Sequence, residues 1–223
     1  MSNSSAFRAL QYDDNIRRVI PFYDEIYRQI FSLIHAYFGS RPLSVLDTGC
    51  GTGHFGCMAQ DMLSLSELVL CDPSAEMLAA AADKLKNNPC QMLHVGSESL
   101  PFENRFDVVT AIQSHHYFDK AARKTAVCHC FRALRPNGLF ICFENTAPDT
   151  SIGKKLMLRQ LEEFEYQCGR SKEEIQRHSN RYGSEFFPIT VNDHLSLLRE
   201  TGFSCAELFW HTYMQSGFYA IKS

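Results

Sequence analysis

Among the nine cysteines of this 223-residue chain there is no C-x-x-C pair, which removes the spacing of zinc knuckles and of thioredoxin-type dithiols. Scattered from position 50 to position 205 and odd in number, they are expected to be small core hydrophobes kept reduced. Cys128-His129-Cys130 falls in a predicted helix, where residues two apart point away from each other, so no metal site is expected. No apolar run has the length of a membrane span, and the start Met1-Ser-Asn-Ser-Ser5 lacks the charged and apolar blocks of a signal peptide. The expected location is the cytoplasm. A strong charge of either sign is also missing: a net charge of −3 and a pI near 6.3 give no general attraction to nucleic acid or to an anionic membrane. Internal repeats and low-complexity tracts are absent.

What is present is enough for one substantial core. With 45% hydrophobic residues and 12% aromatic ones, a single domain over residues 1–223 is expected. The organising stretch is Ser44-Val-Leu-Asp-Thr-Gly-Cys-Gly-Thr-Gly-His-Phe55. It spells a short β-branched strand, a loop with Gly49, Gly51 and Gly53, and the start of a helix. Such a loop lets a ligand lie against peptide groups at the positive end of the helix.

The letters fit two cofactors. Gly51 to Gly56 is a literal G-x-G-x-x-G dinucleotide fingerprint, and Asp47 to Gly53 is D-x-G-x-G-x-G, the pattern of S-adenosylmethionine (SAM) sites. Charge separates them. A carboxylate at Asp47 repels a pyrophosphate at close range, whereas it attracts the sulfonium and ammonium groups of SAM.

Along the chain, Pro21 followed by Ile26, Ile30, Leu33 or Ile34 and Tyr37 predicts an amphipathic helix ended by Gly39. It belongs to an N-terminal helical cap over 1–40, from which Tyr12, Arg17, Arg18 and Tyr23 are candidates to face a ligand. Leu68 to Asp72 is a second strand whose terminal acid suits ribose hydroxyls. Pro73-Ser74 opens a helix carrying Met77, which can lie against adenine. After a third strand, Gln91 to Val95, Ser97 and Glu98 are placed to meet the adenine amino group. The fourth strand, Phe106 to Ile112, leads to Gln113-Ser-His-His-Tyr117, where His115, His116 and Tyr117 are candidates for a base or for orienting an acceptor. A helix from Asp119 to Leu134, a turn at Arg135-Pro-Asn-Gly138 and a fifth strand ending in Glu144 and Asn145 follow. Polar strand exits thus collect at one sheet edge, where open α/β sheets bind ligands. Residues 150–187 predict a helical insertion, with a capping box at Ser171 to Glu174. A last helix from Asn192 to Thr201 precedes two strands forming an antiparallel hairpin.

With these residues in order, the chain resembles class I SAM-dependent methyltransferases over nearly its whole length. The resemblance rests on Asp47 to Gly53, Asp72, Glu98 to Phe102, Phe106 to Val109 and Leu134 to Leu139. It implies an α/β, Rossmann-like, mostly parallel seven-stranded sheet with an antiparallel last strand and helices on both faces. It also implies SAM against Asp47, Thr48, the three glycines, Asp72, Pro73, Met77, Ser97, Glu98 and Gln113, with S-adenosylhomocysteine as product. The flanks, Arg18-Val-Ile-Pro-Phe-Tyr23 and Gly202 to Trp210, are similar to the branch holding carboxy-SAM synthase, a tRNA-modification enzyme. That similarity implies Tyr23 at the cofactor, a homodimer, and an arginine in the last helix for the added carboxylate. Leu197 stands at the arginine's aligned position, and Arg199 lies about 200° further round the helix. The leading expectation is methyl transfer to a small-molecule acceptor, with no metal. The alternatives are carboxy-SAM formation, a non-catalytic SAM-binding module and an NAD-dependent oxidoreductase.

Overall fold

The computed structural model describes residues 9–223; residues 1–8 of the expected cap, with the Met1 to Ser5 start, lie outside the described residues. Seven strands form one sheet: β1 (Leu43–Thr48), β2 (Leu65–Cys71), β3 (Gln91–Leu93), β4 (Phe106–Ile112), β5 (Leu134–Asn145), β6 (Cys205–Thr212) and β7 (Gln215–Ile221). Their order is β3-β2-β1-β4-β5-β7-β6. The first five pair in parallel. β7 runs antiparallel between β5 and β6, so the predicted hairpin closes the sheet edge.

All residues of β1 and β4 are buried, and their period-two alternation feeds two cores. Val45 and Val108 face α2 (Tyr23–Phe38) and α3 (His54–Met62) through Ile26, Ile30, Ile34, Phe55 and Ala59. Leu46 and Val109 face α5 (Lys120–Ala133) and α8 (Val191–Thr201) through Val127, Cys130 and Leu198. Phe31 of α2 stacks on Phe55 of α3 at 5.3 Å, which fixes the helix that follows the glycine loop. Before α2 runs α1 (Ala9–Ile16); α4 (Ala75–Lys84) follows β2; α6 (Ser151–Gln167) and α7 (Lys172–Ser179) form the insertion between β5 and α8. The capping box at Ser171 and Glu174 is formed.

At two boundaries the difference from the sequence expectation has a visible backbone cause. Pro21 precedes α2 instead of opening it, because Phe22 takes a left-handed φ of 57° and breaks the chain direction before Tyr23. Arg135 to Gly138 does turn, with Asn137 at φ 62°, but as an excursion within β5. Leu134 pairs with Phe106 and Leu139 already pairs with Val108, so the intervening residues bulge out of the ladder.

Candidate active site

The loop after β1 takes its shape from three positive φ values, 68° at Gly49, 53° at Gly51 and 78° at Gly53. Their roles differ. A Cβ on Gly49 would stand 2.4 Å from Cβ of Ser114, and one on Gly53 would stand 2.9 Å from Cβ of Ala81. Those two glycines permit close packing against the loop after β4 and against α4. A Cβ on Gly51 meets nothing within 4 Å, and Gly51 borders a cleft of about 890 Å³, its open mouth included.

The cleft lies along the carboxyl ends of β1 to β4. Asp47, Gly49, Asp72, Pro73, Met77, Ser97, Gln113 and Tyr117 line it together with Tyr23. Asp72 accepts the amide hydrogen of Gly51 at 2.9 Å through one carboxylate oxygen and that of Ser74 at 2.8 Å through the other. Ser74, not Asp72, caps α4. Asp72 keeps lone pairs for further donors at the ribose position, and burial raises its pKa against those two backbone donors. Asp47 is more extreme. It is 2% exposed and accepts one side-chain hydrogen bond, from Thr110 at 2.7 Å. Burial, opposed by Thr110 and reinforced by Asp72, pushes it up to about 7. A buried carboxylate so sparsely partnered favours a cationic ligand. Donor set and cradle therefore fit SAM: Asp47 would face its cationic end, Asp72 its ribose, and Met77 and Ser97 its base.

The N-terminal segment covers this mouth. Tyr12 of α1 and Tyr23 and Tyr27 of α2 line the cleft beside His54. The Tyr23 hydroxyl meets that of Tyr27 at 3.1 Å, and the Tyr27 ring sits edge-on to His54 at 4.6 Å. Burial pushes the Tyr23 hydroxyl up to about 12. α1 is fastened by Asp13, which pairs with Lys84 of α4 and accepts the Thr52 hydroxyl at 2.8 Å. Tyr27 and His54 were not among the sequence candidates, although Tyr27 follows Tyr23 at helical spacing and His54 follows the last glycine directly. Arg17 and Arg18 line neither this cleft nor its neighbour. Arg17 pairs with Asp24 at 2.7 Å, and Arg18 donates to the carbonyl oxygens of Cys168 and Gly169 at 3.0 and 2.5 Å.

Three expected cofactor residues stand behind the cleft wall. Thr48 is fully buried, and its hydroxyl holds that of Ser97 at 2.9 Å. Gly53 packs on α4. The Glu98 carboxylate folds back over Gly96, within 2.4 Å of where a Cβ would stand there, and leaves Oε2 buried without a partner.

A second cavity, about 520 Å³, shares Tyr12, Gln113 and Tyr117 with the cleft. His116, Asn145, His178 and Arg181 also line it. His116 Nδ1 lies 3.1 Å from Glu144 Oε2, and the other oxygen of this wholly buried carboxylate accepts the His115 amide hydrogen at 3.2 Å. Burial raises the Glu144 pKa, but His116, His115 and His194 outweigh it and hold it below the usual range. The insertion is pinned here: the Phe187 amide donates to the His116 carbonyl at 2.7 Å, and Arg123 donates to the carbonyls of Phe187 and His115 at 2.5 and 3.2 Å. His115 corrects the sequence expectation. Its ring lines neither cavity and lies near Phe118 and Phe140, and its Nε2 is buried without a partner. Burial pushes its imidazole down to about 4 despite Glu144. Gln113, at φ 55°, donates its side-chain amide to Gln215 at 2.6 Å.

Leu197 packs against the α5 and α8 core, and Arg199 donates to the Ala206 carbonyl at 3.2 Å; neither lines a cavity. Arg181 lines the second cavity, 9% exposed, with Nη2 buried and unpartnered and Nε donating to Glu185 at 2.7 Å. Only the folded insertion brings it there. Among the described residues no His, Cys, Asp and Glu group is arranged to hold a metal ion, and no helix is long and apolar enough to cross a membrane.

Residues 45–138, which span the glycine loop and the rim through the bulge of β5, match the family model for a methyltransferase domain. These residues make a methyltransferase domain, in a chain with the class I SAM-dependent methyltransferase fold. SAM is the enzyme's cofactor. Curated relatives include a carboxy-S-adenosyl-L-methionine synthase of Trichodesmium erythraeum, 24% identical over 95% of this chain and 85% of that protein. One of the same name from Methylococcus capsulatus is 23% identical over 96% of this chain and 90% of that protein. Among solved structures, the magnesium protoporphyrin IX methyltransferase of Synechocystis PCC 6803 with bound SAH superposes with a TM-score of 0.67 at 15% identity, covering 97% of this enzyme and 96% of that chain.

Proposed function

We propose that the enzyme transfers the SAM methyl group to a small acceptor that carries a carboxylate, held in the second cavity. The observation that carries this is Arg181 Nη2, a buried guanidinium donor without a hydrogen-bond acceptor, in a residue that lines the second cavity. A buried donor with no acceptor is costly. A carboxylate is its matched ligand, since the planar fork of arginine binds two oxygens at once. Tyr117 and Gln113 border both cavities, so the acceptor and the cofactor's reactive end meet there. When bound, SAM supplies an electrophilic methyl carbon. The chain's own work is holding donor and nucleophile in line and excluding water, with a base where the acceptor must lose a proton. His116 and Tyr117 are placed for that, and His115 is not. On this reading residues 1–223 form one catalytic unit, with the N-terminal segment and the insertion as its cover.

The second reading is formation of a carboxylated SAM. It is favoured by the names of the relatives and by the same Arg181, which would hold the added carboxylate in place of an arginine at Leu197. A homodimer and a cytoplasmic location stay with this proposal; light scattering tests the first.

The test is incubation with SAM and a panel of small carboxylic acids, followed by mass spectrometry. Methyl transfer gives S-adenosylhomocysteine plus a methylated acid, and Arg181→Met raises the acceptor KM at least tenfold without changing SAM affinity. A carboxylated SAM in place of S-adenosylhomocysteine selects the second reading. SAM bound but unchanged with every acid indicates a binding module.

A further inference from the structure

The second cavity holds another carboxylate–imidazole pair. Glu165 of α6 is 1% exposed, on a helix that also carries Glu162 and the exposed Glu163. One of its oxygens pairs with Arg170, and the other lies 2.5 Å from His178 Nδ1. Glu165 has no place in the core of the sheet; it ties α6 to α7 within the insertion. His178 lines the second cavity, as does His116, whose Nδ1 is held by Glu144. Each ring thus has its Nδ1 committed to a buried carboxylate from behind. In each, Nε2 is the nitrogen not engaged by a carboxylate.

We infer that His178, oriented by Glu165, is a catalytic base of the acceptor cavity, contributed by the insertion and distinct from His116. This rests on the reading of the second cavity as the acceptor site. A neutral imidazole that donates through Nδ1 to a carboxylate presents a lone pair at Nε2, the arrangement needed to receive a proton. The proton leaves the acceptor's O–H or N–H for Nε2 of His178. The freed electron pair forms the new bond to the methyl carbon, and the C–S bond breaks toward sulfur, leaving neutral S-adenosylhomocysteine. The imidazolium so formed is balanced by Glu165, and Arg181 stays on the acceptor's carboxylate. Glu165 is a positioning residue: it sets the tautomer and touches no reactant.

The two pairs come from different parts of the fold. Glu144 and His116 belong to the sheet rim, and Glu165 and His178 to the insertion. The base is therefore in place only when the insertion is folded over the rim, which couples proton transfer to a covered site.

The experiment is long-range ¹H–¹⁵N NMR of the histidine rings in the full-length protein saturated with S-adenosylhomocysteine. His178→Gln assigns the signal by its loss. The expected result is an Nδ1–H tautomer for His178 and an Nε2 resonance that shifts saturably when acetate or benzoate is added as the probe. In Glu165→Gln the Nδ1–H tautomer loses its dominance; if that variant fails to fold, the wild-type measurement still decides. An Nε2–H tautomer overturns the inference, and so does a ring that ignores both probes. Failure of S-adenosylhomocysteine to bind at all would instead strike the cofactor reading, and the tautomer, measured without ligand, would still stand or fall separately.

Discussion

Thr110 donates its hydroxyl to one oxygen of Asp47 at 2.7 Å, joining the paired strands β4 and β1 at the floor of the cleft. It is the one side-chain hydrogen bond to that carboxylate among the described residues. Asp47 is thus held in place yet kept short of compensation for its charge, a state that a cationic ligand relieves. This arrangement sets the pH behaviour of the enzyme.

Asp47 has a folded value near 7 against an ordinary 3.8. Its burial penalty is therefore absent at acid pH, grows as pH rises through that interval and is complete above it. SAM requires the charged form. Affinity is expected to be constant above about pH 7 and to fall below it, approaching tenfold per unit, with proton release on binding. Calorimetry in buffers of different ionisation enthalpy measures that release. Asp47→Asn should bind SAM at least tenfold more weakly, yet its unliganded form should melt no lower than wild type at pH 8. A pH-independent affinity across this window would contradict the assignment.

Asp72 holds the glycine loop through Gly51 and α4 through Ser74. Asp72→Ala is expected to cost SAM binding about 1.5 to 3 kcal/mol, the scale of hydrogen bonds to a charged group. Unchanged affinity in a titration would remove the ribose role.

The three glycines differ in what they tolerate. Gly49→Ala drives a methyl into Ser114, while Gly51→Ala enters open space at the cleft. The first should lower the melting temperature sharply. The second should leave the fold with the strain of one positive φ, about 1 kcal/mol, and lose most cofactor affinity. Equal melting temperatures for the two would contradict this division.

The Asp13 link to Lys84 and Thr52 is partly exposed, so its contribution is modest, up to about 1 kcal/mol. Asp13→Ala should speed SAM dissociation several-fold in stopped-flow measurements, more at low salt than at high salt. A rate unaffected by the variant would mean that α1 does not hold the mouth.

The parts of the site legible in the sequence are those that local rules place. A strand, a glycine loop and an acid at the next strand end follow one another along the chain, so Asp47, Gly51 and Asp72 could be read before their neighbours were known. The near-continuous apolar run of β4 marks it equally plainly as a central strand buried on both faces. Arg181 and His178 were not legible, because their place in the second cavity depends on the insertion docking through Phe187 onto His116 and Arg123, contacts that no spacing encodes. Glu165 follows Glu162 and Glu163 on the same helix, and nothing in their spacing marks it as the buried one. His115 shows the opposite error: adjacent histidines read as a pair, but a tight turn sends one ring to the cavity and the other behind it. The alignment puts Leu197 where the related branch has an arginine, and local spacing could not point to Arg181 instead, since side chains far apart in sequence share the second cavity.

The most direct test of the central claim, that the glycine loop and its two acids hold SAM, is native mass spectrometry of the purified protein, as isolated and after adding SAM or NAD. The account predicts one SAM or S-adenosylhomocysteine per chain and none on Asp72→Ala at the same concentration. Tight binding of NAD with no retention of SAM would contradict it.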